Sequence, residues 1–559
     1  MRPIGHPANL PHAVTDDLSI EALCKILQQP QTYPHDPDSI RLVQTHISVV
    51  ALVPPFVYKV KKPVDFGFLD FTTLPKRRSA CEAEVRLNQR LCENVYLGVS
   101  ELVSTSEGFQ FADPQPASGT SVSENGDPGH PETEIAEVAV KMRHLDPDGF
   151  LHHRAESGEL TQSHIDAVVD TLVSFYDDCT STPAIAERGW IDHLRINTNE
   201  NFEQTRDHVG TLIERPAYHA LQDYTSRFYD AHAALLNQRR TGGYFVEGHG
   251  DLRLEHVHLS GDRLCIYDCI EFNERFRELD IANDIAFLAM DLDGHGCQFL
   301  SRYFVNQMAE RLDDPDLKRV VTFYKVYRAY VRGKVEGMQA IEDEVPESDR
   351  AESVETARAH YQWALRYAVA GSRPSVVVVM GRTGTGKTTQ ATALADALGW
   401  THVSSDRIRK KAAGLPLEER TPERLHSTVY APEMSDRVYE AMIGQALEAV
   451  DDGRGAVLDA TYGSAARRNQ LREALQEAGA SYAVVELQAK HSTRKRRLEQ
   501  RETESTVSDA RVDVMDAIDQ SYEAPSALWD AHHVRVPTSQ SVEETSTDVL
   551  RALIRLRDA

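Results

Sequence analysis

The sequence predicts two regions of different class: an α+β region, then an α/β domain built on a parallel sheet. Three observations carry this. At 559 residues the chain is too long for one core. Strand-like runs crowd residues 47–142, and after Leu160 the pattern turns mostly helical, resuming from Phe299 to Ala370; such segregation is the mark of an α+β fold. From Pro374 onward strand, loop and helix alternate, as a parallel sheet covered by helices requires. The breaker Gly371-Ser-Arg-Pro374 then sets the boundary, with a first domain at 1–365, a linker at 366–373 and a second domain at 374–559.

The elements follow in order. Ile47–Val53, a Pro54-Pro55 turn and Phe56–Lys61 read as a hairpin. Strand-like runs at Val95–Val103 and Ile135–Met142 flank Ser104–Glu134, which is rich in Gly, Pro, Ser and acid and has almost nothing to bury. That segment (about 104–134) is expected to be a long, mobile loop. Apolar residues at three- and four-residue spacing make His164–Tyr176 a helix. In the second domain strands are expected at 375–380, 401–404, 455–459, 482–487 and 532–535.

Composition narrows the function classes. A formal charge of −25 argues against a nucleic-acid coat and against binding to anionic membranes. No apolar run approaches the roughly 20 residues of a membrane helix, and the N-terminal stretch lacks the apolar centre of a secretory signal. Seven cysteines without a CxxC pair fit reduced thiols in a cytoplasm better than a disulfide frame. Cys265 and Cys269, on an apparent strand, are expected to pack rather than to bind metal.

The strongest motif is Gly381-Arg-Thr-Gly-Thr-Gly-Lys-Thr388, a full G-x-x-x-x-G-K-[ST] after an apolar strand and at a helix start. Gly381, Gly384 and Gly386 let backbone N–H groups approach phosphates, and the helix start around Thr388 and Thr389 adds a favourable field. Lys387 would pair with the β- and γ-phosphates of ATP, and the Thr388 hydroxyl would ligate Mg²⁺. Asp406 and Arg409 lie just beyond the second strand, and Asp459 ends a later one. Arg467 follows, and Arg494, Arg497 and Arg501 share a face of the basic helical segment Lys490–Arg501. Together these residues resemble the small P-loop kinases, a group including gluconate kinase, the zeta-toxin type and the polynucleotide 5′-kinases. The resemblance covers most of 374–559. It implies Asp406 as base toward the acceptor hydroxyl, Arg409 as substrate clamp, and Arg497 and Arg501 closing over the transferred phosphate. It also implies Asp459 near Mg²⁺ or its water shell, and Arg467 as a further substrate contact.

A second constellation precedes it: His249-Gly-Asp-Leu-Arg-Leu-Glu-His256, then Leu264-Cys-Ile-Tyr-Asp-Cys269. An aspartate in a tight loop can accept a hydroxyl proton, and one at the end of a nearby hairpin can hold Mg²⁺. Here these are Asp251 and Asp268. The pattern resembles the aminoglycoside phosphotransferase family, which shares the protein-kinase-like fold, across about 40–340. The resemblance implies an ATP lysine in Val57–Lys62, Lys59 being preferred over Lys61 on the same face, and a glutamate partner in the helix 78–91, Glu84 being preferred over Glu82. It implies Asp284 as a brace for the catalytic loop. Where that family carries a metal-ligating asparagine this chain has His256, and imidazole is a poor ligand for hard Mg²⁺. Glu271 could supply an oxygen instead. His249 is expected to bond backbone.

The whole chain therefore looks most like bacterial fusions of an aminoglycoside-phosphotransferase-like domain with a P-loop kinase. The resemblance implies a cytoplasmic, bifunctional, ATP- and Mg²⁺-dependent phosphotransferase acting on hydroxyl groups of small molecules. Two alternatives stand beside it: a silent kinase-like domain regulating a P-loop ATPase, and a second domain that phosphorylates polynucleotide 5′ ends. The net charge disfavours nucleic acid, except for such an end in a narrow basic cleft.

Overall fold

β1 (Arg41–Gln44), β2 (Ser48–Val53), β3 (Phe56–Lys61), β4 (Tyr96–Thr105), β5 (Gly108–Phe111) and β6 (Ile135–Arg143) form an antiparallel sheet of order β1-β2-β3-β6-β4-β5 in this computed structural model. The structure describes residues 18–67, 69–106, 108–114, 134–261, 263–340, 347–417, 419–501, 512, 515–525 and 531–558. It divides into two units: Met1–Gly189 with Arg239–His295, and Trp190–Gln238 with Gly296–Ala559.

In the first unit the hairpin with register Val53↔Phe56 is buried on both faces, Val49, Ala51 and Val53 facing one core and Val57, with half-buried Val50 and Leu52, the other. The helix Leu74–Asn88 packs on β4 and β6. Part of the expected loop at 104–134 is ordered. β5 forms because Phe111, only 2% exposed, stacks on Tyr58 with ring centroids 4.6 Å apart. Phe111, with half-buried Phe109 packed on the same core, thus anchors a strand that the surrounding polar composition hides; residues 115–133 lie outside the described residues. Below the sheet come the helices Gln162–Asp178 and Ile281–Gly294, and the ladders β7 (Phe245–Glu247) with β10 (Glu278–Asp280) and β8 (Val257–Ser260) with β9 (Arg263–Ile266).

The expectation of reduced thiols is corrected at one pair. Cys92 and Cys265 form a disulfide, with Cα atoms 4.7 Å apart across a sequence separation of 173. The cause is tertiary: the Ile266 N–H donates to the Leu91 carbonyl at 3.3 Å, seating β9 against the chain that follows the helix Leu74–Asn88. Cys269 is a buried free thiol, as packing predicts.

The second unit holds the parallel sheet β12 (Thr401–Ser404), β13 (Ala456–Asp459), β11 (Ser375–Met380), β14 (Ser481–Gln488) and β15 (His533–Pro537), in that spatial order. All six residues of β11 are buried, the continuous apolar run of a central strand covered on both faces. The division of the chain is not the one at 366–373. Residues 366–370 finish the helix Glu347–Ala370, because Tyr367 and Ala368 are buried in this unit. Helical residues 190–238 also belong here: Arg215 pairs with Glu543 at 2.9 Å, and the helix Arg215–Ala231 packs along Val542–Asp558. None of the described helices is long and apolar enough to cross a membrane.

Candidate functional site

In the second unit, sheet topology gathers the motif residues at one edge. Asp459 ends β13, opposite Val379 of β11 on one side and Ser404 of β12 on the other. The phosphate-binding loop follows β11, and Asp406 lies in the first turn of the helix Ser405–Ala412 after β12. The loop, Asp459 and Asp406 therefore share the carboxyl edge of a parallel sheet at its reversal of strand order, the place where such sheets bind ligands.

The loop needs glycine at Gly381 (φ 144°), where a Cβ would meet the Leu487 carbonyl oxygen at 2.5 Å. Gly384, at φ 80°, similarly abuts the backbone of Arg494. Gly386 is left-handed and caps the helix that starts at Lys387. The Lys387 Nζ donates to the Arg382 carbonyl at 3.2 Å, folded back along its own loop. Thr388 is half-buried and Thr389 exposed at that helix start. The hard oxygens of Thr388 and Asp459 suit Mg²⁺.

The basic helix His491–Arg501 lies on this loop. Arg494 is 96% buried by side chain and donates to the Thr383 carbonyl at 3.3 Å and to both carboxylate oxygens of Asp519. Arg382 reaches the same carboxylate at 3.2 Å. The hydrogen bond from Arg494, then the charges of both arginines, hold Asp519 below the usual carboxylate range. Arg497 donates to the carbonyls of Thr385 (3.3 Å) and Thr538 (2.6 Å). The side chain of Arg501 lies outside the described residues. The clasp through Asp519 had no signal in the sequence: the Arg-Thr positions inside the motif are unconstrained by it, and Asp519 is remote from any motif.

Arg409 is turned away from the edge. Its guanidinium is buried, donating to the Val429 carbonyl (2.9 Å) and Ser435 Oγ (3.2 Å) and lying 4.8 Å from the Tyr430 ring centroid. The physical reason is the pair of helices Glu423–Val429 and Pro432–Asp451, whose junction offers those acceptors. Arg467 is partly exposed, 3.3 Å from Asp436 and 4.6 Å from the Tyr439 ring centroid.

In the first unit, residues scattered along the chain meet in one cluster. Lys59 Nζ lies 2.6 Å from Asp268 and 2.9 Å from Glu84. Lys61 Nζ lies 2.7 Å from the other oxygen of Glu84 and also pairs with Glu271. Lys59 and Lys61 point the same way because the side-chain period of a strand is two. They differ in access: the Lys59 side chain is 14% exposed and that of Lys61 is sealed. Burial opposes ionisation of Glu84 and Asp268, but the lysines win and hold both carboxyls below the usual range. For Glu271 burial wins, and its carboxyl is pushed up. Glu271 is thus turned onto Lys61 rather than offered to a metal.

The catalytic-type loop is fixed from below. Asp284 accepts the N–H of His249 at 2.7 Å and of Gly250 at 2.9 Å, and Asp291 accepts that of Leu254 at 2.7 Å. His249 accepts the Asp251 N–H at Nδ1 and donates from Nε2 to the Tyr267 carbonyl; burial pushes its pKa down to about 4, so it stays neutral. Asp251, on top of this loop, accepts from Arg253 at 3.1 Å. Asp268 sits at φ 63°, a left-handed conformation that non-glycine residues adopt at a cost. His256 stands between the two aspartates, 3.5 Å from Asp251 and 3.6 Å from Asp268. Among the described residues no group of three or more His, Cys, Asp or Glu is arranged to hold a metal by itself.

Comparison with known proteins agrees with the second unit. Residues 376–525 match the family described as AAA domain, AAA_33. Together with its motif and parallel sheet, this makes the segment a P-loop nucleotide-binding domain. Uncharacterised proteins of Mycobacterium tuberculosis and Mycobacterium bovis are 28% identical over 431 residues, 77% of this chain and 79% of theirs. Among solved structures, a gluconokinase from Sinorhizobium meliloti 1021 is 21% identical, covering 33% of this chain and 94% of its own, with a TM-score of 0.24. The APS kinase CysC of Mycobacterium tuberculosis, solved with AMPPNP and APS, is 19% identical, covering 34% and 99%, with a TM-score of 0.25.

Proposed function

We propose that this chain is a bifunctional phosphotransferase in which each unit transfers the γ-phosphate of ATP to a hydroxyl group of a small molecule. The observation that carries the reading is the meeting of Lys59, Glu84 and Asp268, with Asp251 on the far side of His256 from Asp268. Lys59 and Asp268 lie 209 residues apart in sequence and 2.6 Å apart in space. Four titratable groups from separate segments, one on a strained backbone and one on a loop pinned by a buried carboxylate, are arranged for phosphate chemistry rather than for packing.

In the first unit Lys59, oriented by Glu84, would hold the nucleotide phosphates once they displace Asp268 from it. Asp251 would accept the acceptor's hydroxyl proton, while the Asp284 brace keeps its loop from shifting. In the second unit the backbone N–H groups of the loop and Lys387 would hold the phosphates, Arg497 would face the transferred group, and Asp406 would take the proton. A bound Mg²⁺ would neutralise phosphate charge at Asp268 in the one and at Thr388 and Asp459 in the other. Arg467 remains available to an acceptor's polar groups. This reading assigns kinase activity to both units and includes the protein-kinase-like character of the first.

The test uses the full chain. Phosphate transfer from γ-labelled ATP is screened against hydroxylated metabolites for the unaltered protein, Asp251→Ala, Lys387→Ala and the double variant. Each single variant should lose transfer to one set of acceptors and keep the other, and the double variant should be inert. If Asp251→Ala leaves every product in place, the first unit is not an active transferase.

A further inference from the structure

We infer that the metal site of the first unit is a mixed nitrogen–oxygen site, with His256 as a ligand beside Asp268. Such a site takes a first-row transition-metal dication in preference to Mg²⁺. The inference rests on the reading of that unit as an ATP site.

The ring of His256 is held in one tautomer. Its Nδ1 lies 2.8 Å from the backbone carbonyl of Asp251, which can only accept, so Nδ1 carries the proton and the neutral ring leaves a lone pair on Nε2. A ring N–H given to a backbone carbonyl is the support that metal-ligating histidines use. That Nε2 is 3.6 Å from Asp268 Oδ2 and 3.6 Å from Glu255 Oε1. These separations are too long for hydrogen bonds. Two donors each about 2.1 Å from a shared ion stand roughly 3.0–3.6 Å apart at angles from about 90° to 120°. The spacing is therefore that of neighbours in one coordination shell. The side chain of His256 is 8% exposed and that of Asp268 37%, so the ring is fixed while Asp268 keeps Oδ2 open to incoming ligand, its Oδ1 being paired with Lys59; the Glu255 Oε1 is paired with Arg253 and is not counted as a donor.

The oxygen that could have replaced a nitrogen donor is committed elsewhere, since Glu271 is paired with the sealed Lys61. Two protein donors are few, and the phosphate oxygens of ATP would complete the shell. Nitrogen in that shell penalises Mg²⁺, which demands oxygen and near-ideal octahedral geometry, and favours transition dications along their usual affinity order.

Mn²⁺ with a non-hydrolysable ATP analogue is the probe, on the full chain. Titration should find two Mn²⁺–nucleotide sites in the unaltered protein and one in Asp268→Ala. Pulsed EPR should show a ¹⁴N coupling that changes on ¹⁵N-histidine labelling and is missing in His256→Asn. The ratio of Mg²⁺ to Mn²⁺ dissociation constants at this site should fall about tenfold in His256→Asn, the scale of a lost partner at a metal site. Two sites without histidine coupling, or a coupling that survives His256→Asn, would overturn the mixed-ligand site and leave the ATP reading standing. One site in both the unaltered protein and Asp268→Ala would instead overturn the ATP reading itself. Because His402 Nε2 lies 3.7 Å from Asp459 at the second site, the coupling is assigned to His256 only if it survives His402→Asn and is lost in His256→Asn.

Discussion

Replacing Lys61 by methionine separates the two lysines of β3. Lys61 is fully sealed, and its ammonium serves two carboxylates, Glu84 and Glu271, whose side chains are 0% and 4% exposed. Removing one partner of a buried ion pair costs about 3–5 kcal/mol, because the remaining charge is stranded. At 1.4 kcal/mol per decade this is roughly 150- to 4,000-fold in the opening equilibrium of the sheet and its helix. The cost depends on pH. Burial already raises the Glu271 carboxyl, and without Lys61 it rises further. A carboxyl raised in the folded state favours folding below its unfolded pKa and loses that contribution as pH climbs through the folded value. The penalty of Lys61→Met should therefore be small near pH 5 and grow toward pH 8. Hydrogen exchange of peptides covering Phe56–Lys61 and Leu74–Asn88, corrected for intrinsic rates, measures it locally. Lys61→Met with Glu271→Gln should recover about half of the loss. Lys59→Met should lose less protection than Lys61→Met, because one of its two carboxylate partners, Asp268, is 37% exposed and can be solvated while only Glu84 is sealed, and it should remove nucleotide binding as well. If Lys61→Met leaves exchange unchanged while Lys59→Met opens the sheet, the assignment of roles is reversed.

Further outcomes follow from the same geometry. Asp406→Asn should retain ATP affinity within about twofold and lose acceptor transfer by about 100-fold or more, measured by binding and single-turnover assays. Gly381→Ala should abolish nucleotide binding by the second unit while far-UV circular dichroism stays unchanged, because the added Cβ meets a backbone oxygen that cannot give way. Asp284→Asn should destabilise the catalytic-type loop by about 1–3 kcal/mol, since one of the two N–H donors it accepts faces an amide that has a single oxygen. Thiol titration of protein unfolded without reductant should count five free cysteines rather than seven.

Local pattern reached most of what lies close in sequence. The alternation after Pro374 placed all five strands of the parallel sheet within two residues, because each is a short buried run bounded by loop residues. The hairpin at Ser48–Lys61 was equally plain. What depends on distant partners was not. Phe111 and Phe109 together turn a polar stretch into β5, and Cys92 meets Cys265 only after β9 docks. For the first unit's cluster, the spacing of Asp251 and Asp268 was readable in the sequence, while Lys59 and Glu84 came only from the family resemblance, and the structure brings Lys59, Glu84 and Asp268 together. Spacing could not see which acceptors Arg409 would find at a helix junction, nor that Glu271 would be drawn to Lys61, nor the Asp519 clasp. Those outcomes depend on packing rather than on period.

The packing of the helix Arg215–Ala231 along Val542–Asp558 has a consequence for how the protein is made. Arg557 places its guanidinium 5.4 Å from the Tyr224 ring centroid, and the side chains are 333 residues apart in sequence. A chain emerging from the ribosome at about 5–20 residues per second therefore exposes the apolar face of Arg215–Ala231 for tens of seconds before its partner exists. Residues 239–295, which complete the first unit, emerge within that interval. The first unit can close while the second still waits, so synthesis imposes an order of assembly, and the waiting helix is where a chaperone has most to protect.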